Sequence, residues 1–340
     1  MSSLSDAFET ESERQAARAA LAAARLDTEP VECRPLGRGN RKETALVTLA
    51  DGERAVVQLS DDERALRTER LLLDTVGDRT AVPVPDVLAA ERTGDVAALI
   101  RAYVDAGDLH RRFVELARST QRGLARSFGR FLAELHETFR FDGYGEVVVA
   151  DTATTVGTVD TAGVATPGGS LVGTDDDWAD WLMTYGRAGL GRLPAAFDGL
   201  RPDLAALFED ASLASAPSAR LFPWDFRPGN ALVADGEVAA VLDWESPLAA
   251  VPALSVAKAE YLVADWYVAD PDPLRTAFAA GYESVRPLPA VEPVHRAAAV
   301  CQTAVDSTGT VTNPGYPEFD REAAVAFHRR ALERVLDGER

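Results

Sequence analysis

The apolar positions of this chain change period several times, and each change marks an element. From Thr10 to Arg25 (TESERQAARAALAAAR) helix formers dominate, with acids at the front and arginines toward the back, and the stretch predicts a helix. Two short apolar runs follow, TALVTL (44–49) and AVVQLS (55–60), on either side of the turn pair Asp51-Gly52. They predict a hairpin behind the glycine-containing segment LGRGN at 36–40. Helical periodicity returns in DDERALRTERLLLDTVG (61–77), and VPVPDVLAAERTGDVAALIRAYV (82–104) then predicts two more strands around Thr93-Gly94-Asp95. The first hundred residues thus read as a mostly antiparallel sheet interrupted by one helix.

Beyond Asp108 the helical period dominates, in RGLARSFGRFLAELHETF (122–139), DDWADWLMTYGRAGL (176–190), SVAKAEYLVADWYV (255–268) and PEFDREAAVAFHRRALERVL (317–336). Strand-like LFPW, ALVA and VAAVLDW are set among them. The Thr/Gly-rich stretch 150–176 has no period and predicts an irregular excursion. Trp178, Trp181 and Tyr185 recur at helical spacing, which predicts a core stripe. Asp175 to Asp177 read as acids at that helix's N-terminus, or as a greeting for a cationic substrate.

Composition narrows the class. A length of 340 residues suffices for two lobes, and no apolar run approaches the roughly 18 residues of a membrane-spanning helix. The N-terminus carries acids where a signal peptide carries bases, so the expected location is cytoplasmic. The formal charge is -19, which argues against nucleic-acid and anionic-membrane partners. Lysine occurs only at 42 and 258, and an acidic, lysine-poor chain resembles proteins of salt-rich cytoplasm. Cys33 and Cys301 make no disulfide framework, the four histidines have no zinc spacing, and LGRGN is not a dinucleotide fingerprint.

The chemistry concentrates in LFPWDFRPGNALV (221–233). Asp225 stands five positions before Asn230, and Asp243 follows at the end of the next apolar run. Between them ALVADGEVAAVLDW reads as a hairpin turning at Asp235-Gly236, which returns Asp243 close to Asn230. An acid, an amide and a second acid at one edge suit phosphoryl transfer: one carboxylate takes a proton from the attacking hydroxyl, and hard oxygen ligands hold Mg2+ on the phosphates. The same residue types also serve a plain surface turn.

Here the chain resembles the aminoglycoside phosphotransferase and choline kinase superfamily, relatives of the protein kinases. Their pattern is His-Gly-Asp, four residues, Asn, and then a strand ending in Ile-Asp-Trp or Ile-Asp-Phe, against LFPWDFRPGNALVADGEVAAVLDWE here. LGRGN, with Gly37 and Gly39, matches the nucleotide loop region, and Glu69 falls where their N-lobe helix carries its glutamate. VPVPDVL and FLAELHETFRFDGYGEV extend the resemblance, which spans roughly residues 30 to 260 in family order.

The resemblance implies an α+β, two-lobed, protein-kinase-like fold. Its N-lobe, an antiparallel sheet plus helix, would take residues 1–104, and a mostly helical C-lobe with the catalytic hairpin residues 105–340. It implies transfer of the γ-phosphate of ATP or GTP, with Mg2+, to a hydroxyl of a small molecule. Carried over by position, Asp225 is the catalytic base, Asn230 and Asp243 are metal ligands, and Arg101 to Asp105, with Tyr103 and Val104, form the hinge against which adenine lies.

Three departures stand out. Gln58 occupies the strand position where the family carries a lysine or arginine that contacts the phosphates and pairs with the helix glutamate, so Glu69 needs another partner. Lys42, with Arg38 and Arg41, is a candidate substitute; solvated loop charge is the alternative. Pro223-Trp224 replaces His-Gly, and Val251 and Ser255 stand where Gly-Asp-Pro and a later Asp are common. Two readings stay open, a divergent small-molecule kinase and a pseudokinase that binds a nucleotide or metabolite as a regulator. The acceptor is not fixed by fold.

Overall fold

The structure, a computed structural model, describes residues 4–36, 42–150, 164–166, 169–209 and 218–338. The expected loop glycines Gly37 and Gly39, with Arg38 and Arg41, lie outside the described residues, as does most of the Thr/Gly-rich stretch.

The chain opens with α1 (Leu4–Ala7) and α2 (Glu11–Ala23), the latter started by a capping box between Thr10 and Glu13. Strands β1 (Pro30–Pro35), β2 (Glu43–Leu49) and β3 (Arg54–Ser60) precede α3 (Glu63–Arg79), which is followed by β4 (Val87–Thr93) and β5 (Val96–Ala102). They form a five-stranded antiparallel sheet in the order β1-β2-β3-β5-β4. Alternation along β5 serves two cores: Ala98 and Ile100 pack with Phe8, Ala17 and Leu21 beneath α1 and α2, whereas Ala97 and Leu99 join Leu72 of α3 and the helices beyond. Gln58 pairs in register with Leu99, and Val56 with Arg101. Gln58 and Arg101 therefore lie on the face turned away from α2.

The rest of the chain is mainly helical. In order it comprises β6 (Gly107–Asp108), α4 (Leu109–Arg112), α5 (Arg118–Thr138), β7 (Arg140–Phe141), β8 (Tyr144–Ala150), β9 (Val164–Thr166), β10 (Gly169–Asp175), α6 (Trp178–Arg192) and α7 (Arg201–Glu209). Then come β11 (Ala219–Phe222), β12 (Ala231–Ala234), β13 (Glu237–Val241), β14 (Leu248–Ala250), α8 (Pro252–Glu260), α9 (Asp272–Glu283), α10 (Pro293–Thr303) and α11 (Arg321–Leu336). The sheets here are β13-β12-β6 and β7-β11-β14-β8-β10-β9. Among the described residues no helix is long and apolar enough to cross a membrane.

Helices α5 and α9 meet at backbone distance. A Cβ at Gly129 would stand 2.0 Å from the Phe278 carbonyl oxygen, and one at Gly281 would stand 1.9 Å from that of Arg126. Near the end of α5 the buried His136 bonds Tyr282 Oη of α9 at 2.7 Å and Ser255 Oγ of α8 at 2.6 Å. Burial, with Arg286 and Arg220 nearby, holds this imidazole well below its ordinary pKa. Ser255, a departure from the family pattern, is thus the partner of a neutral histidine.

The structure differs from the sequence expectation in several places, among them helices α7, α9 and α10, which the sequence reading did not predict. β1 is an edge strand bounded by prolines that buries only Cys33, too little alternation to betray it. β14 is three residues long. Residues 169–175, expected to be irregular, form β10 against β8. The helix expected over 255–268 is α8 followed by a π turn at Tyr261–Asp265.

Candidate active site

β12 and β13 turn at Asp235 (φ 52) and Gly236 (φ 81), the left-handed pair that a two-residue hairpin needs. Asn230 immediately precedes β12, and its carbonyl accepts the Leu242 N–H at 2.7 Å. The hairpin returns Asp243 beside it: Asn230 Nδ2 donates to Asp243 Oδ2 at 3.3 Å and to the Asp225 carbonyl at 3.1 Å. Asp243 itself has φ 62, a left-handed conformation that Asp and Asn tolerate best among residues with a side chain.

Two cations hold Asp225. Arg227 Nη2 donates to Oδ2 at 3.2 Å, and Lys258 Nζ lies 3.8 Å from Oδ1. Burial pushes this carboxyl up, but Arg227 and Lys258 together outweigh it and hold the group below the usual carboxylate range. Asp243 has the opposite balance. Surrounding protein and then Glu245, Asp225 and Glu69 push it up to about 6 against the pull of Lys42.

A raised carboxylate pKa means that the native state keeps a proton the unfolded chain has released, so ionised Asp243 costs stability above about pH 6 and nothing at pH values below its unfolded value. Asp243→Asn is therefore expected to melt above wild type at pH 7.5 in the absence of ligand. Thermal unfolding at pH 4.5 should show the gap shrinking, and a gap independent of pH would contradict the assignment.

The third group is Lys42, whose buried ammonium pairs with Glu69 and lies 3.2 Å from Glu245 Oε2. Arg101 Nη1 is 3.7 Å from the other Glu69 oxygen. Glu69 thus has the partner that Gln58 does not provide, drawn from the residue just before β2. Gln58 is buried with its Oε1 unpaired. Arg101, expected at the hinge, directs its side chain to Glu69, while Tyr103 packs under the Arg54 guanidinium at 4.0 Å and the Val104 carbonyl accepts the Ala106 N–H at 3.0 Å.

A cleft of about 940 Å³ opens over Asp225 and Asp243, walled by Trp181, Tyr185, Trp224 and Trp266. A second cavity of about 630 Å³ contains Lys42 and Thr68 and shares Glu146, Glu245 and Ser246 with the first. Trp178 is core, as its spacing predicts; Trp181 and Tyr185 pack against that core, stack 4.9 Å apart and also line the cleft. Asp177 caps α6 through the Asp180 N–H, whereas Asp175 lines the cleft. Sequence reasoning passed over Arg227, Glu245 and Lys258; the only signal for the last was the scarcity of lysine.

No cluster of three or more His, Cys, Asp or Glu suited to a metal occurs among the described residues. Asp243 and the Asn230 amide oxygen are hard donors, and two protein oxygens completed by phosphate and water match the habit of Mg2+. Asn230 spends its amide N–H on Asp225 and Asp243, so its oxygen is the atom left to ligate.

The sequence profile of the phosphotransferase enzyme family, APH, matches residues 32–295. No curated protein matches the chain. Among solved structures, a thermostable mutant of aminoglycoside phosphotransferase APH(4)-Ia, in ternary complex with AMP-PNP and hygromycin B, is 14% identical over 91% of this chain and 94% of its own, with a TM-score of 0.56. Macrolide 2'-phosphotransferase MphH from Brachybacterium faecium is 17% identical over 96% and 99%, with a TM-score of 0.52. At these identities the likeness is one of fold, α+β and protein-kinase-like.

Proposed function

The chain belongs to the phosphotransferase enzyme family, and from that premise we propose that it transfers the γ-phosphate of ATP or GTP, as a magnesium complex, to a hydroxyl of a small molecule. Residues 1–104 would form the nucleotide lobe and residues 105–340 the acceptor lobe. The observation that carries the reading is the convergence of Asp225, Asn230 and Asp243 at the open end of the β12–β13 hairpin.

Each group then has a task. Asp225 accepts the proton of the acceptor hydroxyl as that oxygen bonds to the γ-phosphorus and the bond to the β–γ bridging oxygen breaks, releasing the nucleoside diphosphate. Asn230 and Asp243 hold Mg2+, which when bound neutralises the phosphate oxygens and orients the group in transfer. Lys42, fixed by Glu69, supplies positive charge to the phosphates, and Arg227 stands beside the transfer path. Adenine lies against the hinge segment Arg101 to Asp105. The acceptor occupies the aromatic side of the cleft, where Trp181, Tyr185 and Trp224 line the wall with apolar surface for a ring or an aliphatic frame.

The test is thermal unfolding of wild type and Asp243→Asn in high-potassium buffer, with and without ATP and Mg2+. A ligand bound only by the native state stabilises it by about 2.7 kcal/mol at a hundredfold excess over Kd. Wild type should shift upward with ATP only when Mg2+ is present, and Asp243→Asn should not. No shift in wild type at millimolar ATP would end the proposal.

A further inference from the structure

The chain carries two lysines, and both lie at the candidate site. All its other basic side chains, histidines aside, are arginines, so the positions that keep lysine are informative. Lys42 has its task in the ion pair with Glu69. Lys258 has none in the reading above. It sits on α8 with its side chain 1% exposed, its ammonium 3.3 Å from the centre of the Trp224 ring and 3.8 Å from Asp225 Oδ1. Phe222 lies behind it at 5.8 Å.

The geometry points to Lys258 as a positioning residue for Asp225: it anchors Oδ1 to the helical core so that Oδ2 faces the acceptor hydroxyl. This rests on the phosphotransferase reading. Asp225 belongs to a loop, and Arg227, its other cation, belongs to the same loop two residues on. Lys258 is borne by α8, which is tied to α5 through Ser255 and His136. A hold from outside the loop fixes the direction of the carboxylate, and a hold from within it cannot. When Arg227 turns to the incoming phosphate, Lys258 keeps Oδ1 and leaves Oδ2 to take the proton.

Packing alone does not explain the residue. Methionine or leucine would fill the space without desolvating a charge. Burial in fact brings the ammonium down to about 7 against the opposing pull of Asp225, with Arg227 and Arg192 as the other charges acting on it. The approach to a single carboxylate oxygen suits a compact ammonium, which acts as a point charge, better than the two-pronged fork of a guanidinium.

Scarcity of lysine supplies the experiment. With [13Cε]lysine the protein gives two lysine side-chain resonances, of which Lys42 is the internal control. In Asp225→Asn the Lys258 resonance is expected to titrate at clearly lower pH than in wild type, since its anionic partner is gone. In kinetics with Mg·ATP and an acceptor found by screening, Lys258→Met is expected to lower kcat about thirtyfold with KM for ATP within about twofold. Lys258→Arg should recover part of kcat. A Lys258 titration unchanged in Asp225→Asn overturns the positioning role and leaves the phosphotransferase reading standing. Wild type that transfers phosphate to no hydroxyl acceptor overturns that reading, and this role in the reaction with it, even where the resonance moves.

Discussion

Asp225→Asn is expected to lower kcat by about three orders of magnitude, within the range that a positioned general base contributes. The amide keeps the shape of the carboxylate and can still accept a hydrogen bond from Arg227, so the loop should stay where it is. What it cannot do is receive the proton of the acceptor hydroxyl. Lys258 loses its anion in this variant, but an ammonium already brought down to about 7 by burial can shed its proton rather than remain as an isolated buried charge. Folding and nucleotide affinity should therefore survive the loss of turnover. Single-turnover transfer of labelled γ-phosphate, beside the nucleotide-dependent rise in melting temperature, separates the two. Activity within tenfold of wild type would remove Asp225 from the chemistry.

Lys42→Met is expected to lower kcat/KM for the nucleotide by a factor of about a hundred or more, in line with loss of a preorganised cation at a phosphate. It also leaves Glu69, 1% exposed, with Arg101 alone at 3.7 Å. Breaking a buried ion pair typically costs about 3–5 kcal/mol, and the second partner should keep the loss near the lower end. Gln58→Lys on this background restores an ammonium from the next strand and should recover part of both losses. Steady-state kinetics and denaturant unfolding on the single and double variants would show it. If Lys42→Met alone binds and uses nucleotide as wild type does, Lys42 is only a structural ion. The reading of the chain as a pseudokinase rested on the neutrality of Gln58 and on the altered residues around the catalytic loop, and an ammonium at Glu69 from the residue before β2 answers the first of these.

The sequence made the sheet and the hairpin legible because their signals are local. β2, β3 and β5 show their apolar runs, and Asp235-Gly236 announces the turn that brings Asp243 back to Asn230. The partner of Glu69 was not legible as such, since the pairing joins residues 27 apart through the packing of α3 on the sheet. Lys258 approaches Asp225 from a different element altogether, and nothing in the spacing forecasts it. Trp181 and Tyr185 were legible only in part: they pack against the core as their spacing predicts and also line the cleft, and a helical stripe of aromatics reads alike in either setting. β1 escaped because an edge strand needs little hydrophobicity.

The glycine contact between α5 and α9 sets where the molecule can yield. With no Cβ at Gly129 or Gly281 the two backbones touch, and His136 at the far end of α5 ties the pair to α8 and so to Lys258. Interiors packed to this degree have little compressibility. The three helices therefore act as a single stiff block, and the catalytic hairpin is seated on it. Any closing of the cleft is then expected as movement of the five-stranded sheet, a roof over a fixed floor.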